Sequence, residues 1–272
     1  MKIHQIKIDF NVTDKIKRYV YVYIVEGEQC YLIDSGVAGS EILIEQYLHS
    51  INRRAEDIKG IFLTHAHPDH IGTAAYFQEK VGCDIYASKK EKRWIENIEL
   101  QFSERPIPNF YHLAGRSAKV NKTVKDGDIV TLEEDIQVQI VGTPGHSIDE
   151  ISFVIGENVF IGDSIPVKGD IPIYVDKVAT LSSMNKIIQL PKVTNFYPAW
   201  DTTYTKNEVL EKVKSATELI HRIDECVKEV CTNDKNVEDE VLCQLVCAKL
   251  GMPFLLSNPL FRTTVRSHCM LT

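Results

Sequence analysis

The sequence predicts an α/β protein in which two β-rich layers are faced by helices. Strand-like and helical segments alternate through residues 2–197. Within them, a strand, a helix and a strand over residues 61–87 have the order of a parallel crossover unit. Strands in both halves of this region lead into loops that carry histidine or aspartate. After residue 201 the pattern becomes purely helical, which predicts a helical appendage on the layered domain.

The first half of the chain opens with strand patterns. Residues 2–10 alternate polar and apolar side chains, and residues 19–25 are almost continuously aromatic or β-branched. Gly27 and Glu28 form a predicted turn into the next strand. The predicted strands are 2–10, 19–25, 30–33, 61–63 and 83–87, and the predicted helices are 40–50 and 73–81.

Further β-like segments follow an irregular stretch. Residues 89–119 begin with a helical pattern, which predicts a helix at 90–99, and then combine aromatic residues with prolines. Such a composition is typical either of a cover over a binding site or of ordinary surface packing. Turn residues such as Asp126 and Gly127 separate the short segments beyond it. The predicted strands are 119–124, 128–132, 136–141, 148–155, 158–161 and 195–197, with one helix at 179–190.

The residues after 202 predict three helices, at 206–230, 237–250 and 258–269. Apolar side chains recur at alternating steps of three and four from Val209 to Val230. This stripe must be buried against the main domain or against a partner, which leaves a homodimer open. We therefore divide the chain into a main domain of residues 1–202 and a helical extension of residues 203–272 that packs on it.

The composition excludes several classes of function. The 272 residues carry a net charge of −7, which argues against nucleic-acid binding because the surfaces of such proteins are basic. No apolar run approaches the ~20 residues that cross a bilayer, and the first ten residues resemble a strand instead of a signal sequence. Seven cysteines, located mostly in helical patterns, are typical of reduced thiols. We expect a cytoplasmic protein that acts on a small molecule and binds neither nucleic acid nor membrane.

The densest group of chemically useful side chains lies in residues 64–70, directly after an apolar run. The segment reads Thr-His-Ala-His-Pro-Asp-His and supplies His65, His67, Asp69 and His70. Imidazole nitrogen and carboxylate oxygen are ligands that zinc, iron and manganese accept. The segment joins a predicted strand to a predicted helix, and layered α/β proteins build their sites at such turns. It therefore predicts a metal site and not three solvated histidines.

This His-x-His-x-Asp-His order resembles the first metal-binding loop of the metallo-β-lactamase superfamily. Two later loops match the family in order and spacing. His146 follows Pro144 and Gly145, and Asp163 follows Gly162, each after a strand-like segment. The resemblance covers about residues 1–201 and implies a four-layer αββα sandwich, which makes residues 1–202 the catalytic domain.

The resemblance also implies a ligand set for two metal ions. The implied ligands are His65, His67 and His146 for the first ion, Asp69 and His70 for the second, and Asp163 between them. Zinc is the expected metal, with iron or manganese as alternatives. Because a metal lowers the pKa of bound water from about 15.7 to about 7, a metal-bound hydroxide would attack a carbonyl. Asp69 would orient this nucleophile or relay its proton.

Asp34 is a further residue that bears on the metal centre. It follows a predicted strand and precedes Ser35 and Gly36. The matching carboxylate of the family hydrogen-bonds a metal ligand from behind, so Asp34 is either such a support or a turn-forming or N-capping aspartate before the helix at 40–50.

The sequence departs from the family after the last strand. The family usually supplies one more histidine there, but residues 197–201 read Tyr-Pro-Ala-Trp-Asp. Trp200 takes the position of this histidine, and because an indole has no lone pair for a metal, its ring would close one side of the pocket instead. Asp201 is either a replacement ligand or a capping residue for the next helix. We therefore expect two ions with an altered second site.

The predicted function is metal-dependent hydrolysis of an ester, thioester, lactone or amide, most like the glyoxalase II and lactonase branches of the family. Two alternatives stay open. The first is an oxidoreductase with one iron, similar to the family's persulfide dioxygenases, because two histidines and a carboxylate activate dioxygen at ferrous iron. The second is a non-catalytic metal-dependent binding module. The basic residues that bind glutathione in glyoxalase II have no clear match in residues 203–272, so the substrate is not identified.

Overall fold

The computed structural model of the protein describes residues 1–233 and 237–269. Within these residues, twelve strands form two six-stranded sheets. The first sheet contains β1 (Lys2–Thr13), β2 (Ile16–Glu26), β3 (Cys30–Ile33), β4 (Ile58–Phe62), β5 (Asp84–Ser88) and β6 (Lys122–Val124). The second sheet contains β7 (Ile129–Glu133), β8 (Ile136–Gly142), β9 (Ile151–Ile155), β10 (Asn158–Gly162), β11 (Asn195–Pro198) and β12 (Tyr204–Thr205).

The strands of each sheet follow the order of the chain. In the first sheet β1, β2 and β3 are antiparallel neighbours, whereas β3, β4, β5 and β6 are parallel. In the second sheet β7 to β10 are antiparallel, β11 runs parallel to β10, and β12 returns antiparallel. Parallel neighbours place the ends of β3, β4 and β5 at one edge of the first sheet.

Helices cover the outer faces of the two sheets. The helices are α1 (Glu41–Ser50), α2 (Pro68–Ile71), α3 (Ala74–Val81), α4 (Lys92–Ile95), α5 (Ile98–Glu104), α6 (Phe110–Ala114), α7 (Lys177–Ile188), α8 (Lys206–Asn233), α9 (Asp239–Leu250) and α10 (Pro259–Ser267). None of them, in the part of the chain described, has the length and apolarity needed to cross a membrane. No disulfide joins any of the seven cysteines, all of which lie in the described ranges.

The alternation of side chains along the strands explains the four layers. In β2, Val22 and Ile24 point outward to the helices of the first sheet, whereas Tyr23 and Val25 point inward. Residues from the second sheet, such as Phe153, meet them between the sheets. Since both faces of β2 are buried, it reads as an almost continuous apolar run. The predicted αββα sandwich with a C-terminal helical region is confirmed.

The helical extension packs in two parts. The first half of α8 places Val209 and Val213 in a cluster with the outer face of the second sheet. Its second half forms a separate cluster with α9 and α10, around Phe261. Residues 270–272 of the predicted extension lie outside the described residues, as do 234–236, and the boundary at 202 stays a prediction.

Two predicted elements differ from the structure. The helix expected at 90–99 is divided into α4 and α5, because the side chain of Asn97 accepts a hydrogen bond from Leu100 N and starts a new helix. The strand expected from residue 148 begins only at Ile151. Asp149 N instead donates a hydrogen bond to the Glu91 carboxylate at 3.0 Å, so this backbone is held away from the strand pairing.

Candidate metal centre

The metal-binding loop lies where the two sheets meet. β4 ends at Phe62, and α2 begins at Pro68, whose ring suits the first turn of a helix. Thr64 O accepts a hydrogen bond from Ile151 N at 3.0 Å, which links the loop to the second sheet. The segments after β8 and β10 then bring further side chains to the same place. The strand-to-helix turn is where the sequence predicted it.

Four side chains form a first donor set: His65, His67, His146 and Asp163. One donor atom of each lies within 4.8 Å of the others. His67 Nδ1 is 2.9 Å from both His65 Nε2 and His146 Nε2, and Asp163 Oδ2 is 3.3 Å from His146 Nε2. Lone pairs of neutral imidazoles repel one another at such distances, and a cation between them relieves the repulsion. The arrangement therefore fits a metal ion.

Asp69, His70 and the other oxygen of Asp163 form a second donor set. His70 Nε2 lies 3.6 Å from Asp69 Oδ2 and 3.5 Å from Asp163 Oδ1. All three atoms are buried and have no hydrogen-bond partner among the described residues. Buried polar atoms are almost always paired, so three unpaired atoms in one place fit a second cation. Asp163 thus turns one oxygen to each donor set.

Burial favours neutral histidines in the first donor set, whereas the carboxylates around the second donor set favour a cation there. Burial lowers the pKa of His65 and His67 well below 6.5 and that of His146 to about 4, so each keeps a free lone pair at neutral pH. Burial has the same effect on His70, but Asp163 and the other surrounding carboxylates outweigh it and raise its pKa well above 6.5. The second set is therefore a concentration of negative charge, which a divalent ion would neutralise.

Asp34 supports both donor sets from behind. Its Oδ2 lies 2.9 Å from His70 Nδ1, and it also accepts a hydrogen bond from the Thr64 hydroxyl at 2.9 Å. The same hydroxyl lies 3.0 Å from His65 Nδ1. Hydrogen bonds from these Nδ1 atoms turn both Nε2 atoms toward the centre. Asp34 itself has a φ of 58°, which is a left-handed conformation. Residues other than glycine adopt it only at a cost in free energy, so the surrounding structure must hold Asp34 there.

The backbone orients His146 in a similar way. Its Nδ1 lies 2.7 Å from Ile173 O. A carbonyl can only accept, so Nδ1 carries the proton and Nε2 keeps its lone pair for the first donor set. The segment that contains Ile173 is in turn held by α10, since Thr264 Oγ1 donates to Pro172 O at 2.8 Å. The helical extension therefore reaches the centre through two hydrogen bonds.

A family model described as the metallo-beta-lactamase superfamily matches residues 16–199. The chain belongs to this superfamily. Hydroxyacylglutathione hydrolase of Vibrio cholerae is 24% identical over 204 residues, which are 74% of this chain and 69% of that protein. Among solved structures, a metallo-beta-lactamase family protein from Thermus thermophilus has a TM-score of 0.76 at 16% identity, over 98% of this chain and 91% of that one. A subclass B3 metallo-beta-lactamase of Bradyrhizobium japonicum has a TM-score of 0.62 at 22% identity, over 83% and 96%.

Membership of the metallo-beta-lactamase superfamily and the cluster of histidine and aspartate together support a metal cofactor. With the distant hydroxyacylglutathione hydrolases, they support a metal-dependent hydrolase in general terms. These two structural neighbours, both under 25% identical, bear on the fold alone.

The structure corrects both interpretations of Asp201. Its carboxylate accepts hydrogen bonds from Tyr204 Oη at 2.7 Å and Lys212 Nζ at 2.6 Å, so it faces α8 and does not join the donor sets. It does not cap α8 either. Thr205 does so, through reciprocal hydrogen bonds with Glu208 at 2.8 and 3.4 Å. Among the described residues, the second set consists of Asp69, His70 and Asp163.

Sequence reasoning missed two buried carboxylates that hold the loops of the superfamily site. Glu91 accepts hydrogen bonds from Ala66 N at 3.0 Å and from the Ser147 hydroxyl at 2.7 Å, and so ties the loop of His67 to that of His146. Glu150 accepts from Asp163 N at 2.9 Å. Burial raises the pKa of both carboxyls. Glu91 lies in the run Lys-Lys-Glu-Lys, which looks like a solvated face, so the sequence gives no signal for it.

A cleft of about 830 Å³, its open mouth included, leads to the centre. Trp200 forms part of its wall and lies beneath the guanidinium of Arg18, 5.1 Å from the ring centroid. The stretch of residues 89–119, for which we expected either a cover or surface packing, contributes both to the cleft and to the core. Ile107 and Pro108 line the cleft, whereas Phe110 is buried in the core. α10 contributes Leu260 from the other side.

Proposed function

We propose that this protein is a hydrolase that holds two divalent metal ions, zinc in the first instance, and cleaves an ester, thioester, lactone or amide. The observation that carries the proposal is the division of Asp163. One of its oxygens faces the three histidines and the other faces Asp69 and His70. A carboxylate that offers one oxygen to each donor set would help to hold two divalent ions, and such pairs of ions are used by hydrolytic enzymes.

When bound, divalent ions would supply the Lewis acidity that polarises a carbonyl and makes water nucleophilic at neutral pH. The chain supplies position and proton transfer. His65, His67 and His146 would hold the first ion, and Asp69 and His70 the second. Asp69 Oδ2 is buried, lines the cleft and has no hydrogen-bond partner among the described residues. It is the group that orients the attacking water and takes its proton.

The second donor set favours this function over its two alternatives. A mononuclear iron oxidoreductase needs only the first set, and a binding module needs no proton acceptor. Here Asp69, His70 and Asp163 place three buried atoms without a hydrogen-bond partner among the described residues beside the first set, and neither alternative needs such a second group of donors. The hydroxyacylglutathione hydrolases provide a thioester as one candidate substrate class.

The proposal is tested by metal analysis and turnover on the same preparation. Protein purified without added metal should contain close to two equivalents of zinc and should hydrolyse at least one member of a panel of esters, thioesters, lactones and amides. A chelator should abolish this turnover, and zinc should restore it. One equivalent of iron, with oxygen consumed on a persulfide, would instead support the oxidoreductase. Bound metal with neither hydrolysis of the panel nor oxygen consumption on a persulfide would support the binding module.

A matched pair of variants tests the role of Asp69. Asp69→Asn keeps the shape of the side chain but cannot accept a proton as a carboxylate does. It should lower kcat by about 100- to 10,000-fold, the usual contribution of a general base. Asp135→Asn makes the same change at an exposed turn and should leave kcat unaltered. Equal rates for both variants would exclude Asp69 from the chemistry.

A further inference from the structure

Arg105 is a cation that the metal centre itself does not require. It follows α5 directly, and its backbone N donates to Gln101 O at 2.8 Å. Gln101 also donates from Nε2 to Ala66 O at 2.5 Å, which fixes this helix against the metal-binding loop. The partly buried side chain of Arg105 lines the same cleft as Asp69 and His146. Its position is therefore set by the loop that carries the donors.

The guanidinium of Arg105 has no hydrogen bond or ion pair with any described residue, although Asp69, Asp163 and Glu91 lie near enough to act on it through space. Arg18, on the same cleft, differs because Asp170 binds it with two hydrogen bonds of 2.8 and 2.5 Å. Burial lowers the pKa of Arg105 to about 10, so it stays charged at neutral pH. A charged guanidinium that lines the cleft and has no partner among the described residues is available to bind an anionic group of a ligand there.

Balancing the charge of Asp69 and Asp163 does not account for Arg105. With two divalent ions in place, these two carboxylates are already outweighed, because the histidines of the first donor set are neutral. Arg105 then adds a positive charge to a centre that is already positive. Such an arrangement attracts an anion.

The shape of the Arg105 guanidinium and of the cleft indicates which kind of anion would bind there. A guanidinium is a planar fork of five donors that matches the two oxygens of a carboxylate. Much of the remaining wall is apolar and suits a hydrocarbon chain. The apolar residues that line it include Phe10, Ile16, Ile107, Pro108, Ile171 and Leu260.

We propose that Arg105 binds a carboxylate of the substrate. The substrate is then an acyl compound that carries this carboxylate on a hydrocarbon chain, at a distance from the bond that is cleaved. This inference rests on the proposed function, because the cleavable bond must lie at the metal centre while the carboxylate lies at Arg105.

Two esters of equal chain length test the inference on the metal-loaded, full-length protein. The mono-para-nitrophenyl ester of glutaric acid is anionic, and para-nitrophenyl pentanoate is its neutral counterpart. The wild-type protein should prefer the anionic ester. Arg105→Met should lower kcat/KM for it by about 10- to 100-fold, mainly through KM, and leave the neutral ester nearly unaffected. Arg105→Lys keeps the charge but loses the planar fork. Its kcat/KM for the anionic ester should lie between those of the wild type and Arg105→Met.

Arg116→Met is the matched control, because Arg116 is exposed and pairs with Glu79 at 2.8 Å on the surface. This variant should leave kcat/KM for both esters unchanged. An equal loss on both esters in Arg105→Met would show that Arg105 maintains the structure of the site. Unchanged kinetics would show that the carboxylate binds elsewhere. Either result would overturn the inference.

A binding measurement separates this inference from the proposed function. Glutarate, which cannot be hydrolysed, should bind the metal-loaded wild type and the Arg116→Met variant equally and the Arg105→Met variant at least about tenfold more weakly, as measured by calorimetry. If no ester is cleaved but this difference is found, the hydrolase proposal fails and the anion site stands. If esters are cleaved but glutarate binds all three proteins equally, the anion site fails alone.

Discussion

Replacing one hydroxyl in α10 should weaken the metal centre from a distance. Thr264 is fully buried, donates to Pro172 O at 2.8 Å and accepts from Tyr174 N at 3.1 Å. These two bonds fix the backbone on either side of Ile173, whose carbonyl lies 2.7 Å from His146 Nδ1. Thr264→Val keeps the shape of the side chain but leaves both backbone groups without this partner. We therefore expect lower stability and a less well oriented His146.

The size of each effect follows from the contacts. Each buried polar group left unpaired costs about 1–3 kcal/mol, so with two such groups the free energy of unfolding should fall by about 2–6 kcal/mol. His146 keeps its ring but loses the fixed position of its hydrogen-bond acceptor. Losses of this kind reduce metal affinity by about 10- to 100-fold. Urea unfolding measures the first effect, and competition with a chromophoric chelator measures the second.

Thr232→Val is the matched control for this experiment. The Thr232 hydroxyl is exposed and donates to Lys228 O at 2.7 Å within α8, far along the chain from the segment of Ile173. Its removal should change the free energy of unfolding by no more than about 0.5 kcal/mol and should leave metal affinity unaltered. If Thr264→Val lowers stability but binds metal as tightly as the control does, the segment around Ile173 keeps its position without α10, and the reasoning is refuted.

Four further variants test the donor sets and two ion-paired carboxylates outside them. Asp163→Ala should abolish the binding of both ions, whereas Asp34→Asn should weaken it by about 10- to 100-fold or less, as elemental analysis and titration would show; full metal content in Asp163→Ala would contradict the shared ligand. Asp201→Ala should keep the metal stoichiometry and lower the free energy of unfolding by about 1–3 kcal/mol, because a buried tyrosine hydroxyl loses its acceptor; selective loss of one ion would restore Asp201 as a ligand. In Asp224, burial raises the carboxyl pKa, but Lys177 and its other neighbours outweigh this effect and lower it below its ordinary value of 3.8. The stabilisation is thus present above about pH 4 and lost as the pH falls further, so the difference in Tm between wild type and Asp224→Asn should be constant near neutrality and shrink below about pH 4; a difference that persists to low pH would contradict this.

The sequence predicted the parts of the site in which chemistry and chain order coincide. Residues 64–70 are contiguous and follow an apolar strand, so that spacing alone brings His65, His67 and Asp69 to one turn. The alternation of apolar residues predicted both sheets for a similar reason, because the period of a strand is local. Resemblance to a family added His146 and Asp163, which are too far along the chain for periodicity to connect.

The parts that could not be predicted depend on contacts between distant segments. Glu91 directly precedes α4 and Arg105 directly follows α5, in stretches whose charged residues look solvated. Only the packing of α5 against Ala66 shows that Arg105 faces the cleft and that Glu91 is buried. The direction of Asp201 was equally hidden, because its partner Lys212 is eleven residues further on, along α8.

The helical extension contributes to the site in two ways through one helix. Leu260 and Thr264 are one turn apart on α10, and residues four apart lie on the same face. Leu260 lines the cleft, while Thr264 holds the segment that orients His146. A shift of α10 would therefore change the shape of the cleft and the position of a metal donor together. It follows that the wall of the cleft and one residue of the candidate metal centre share a common support in α10.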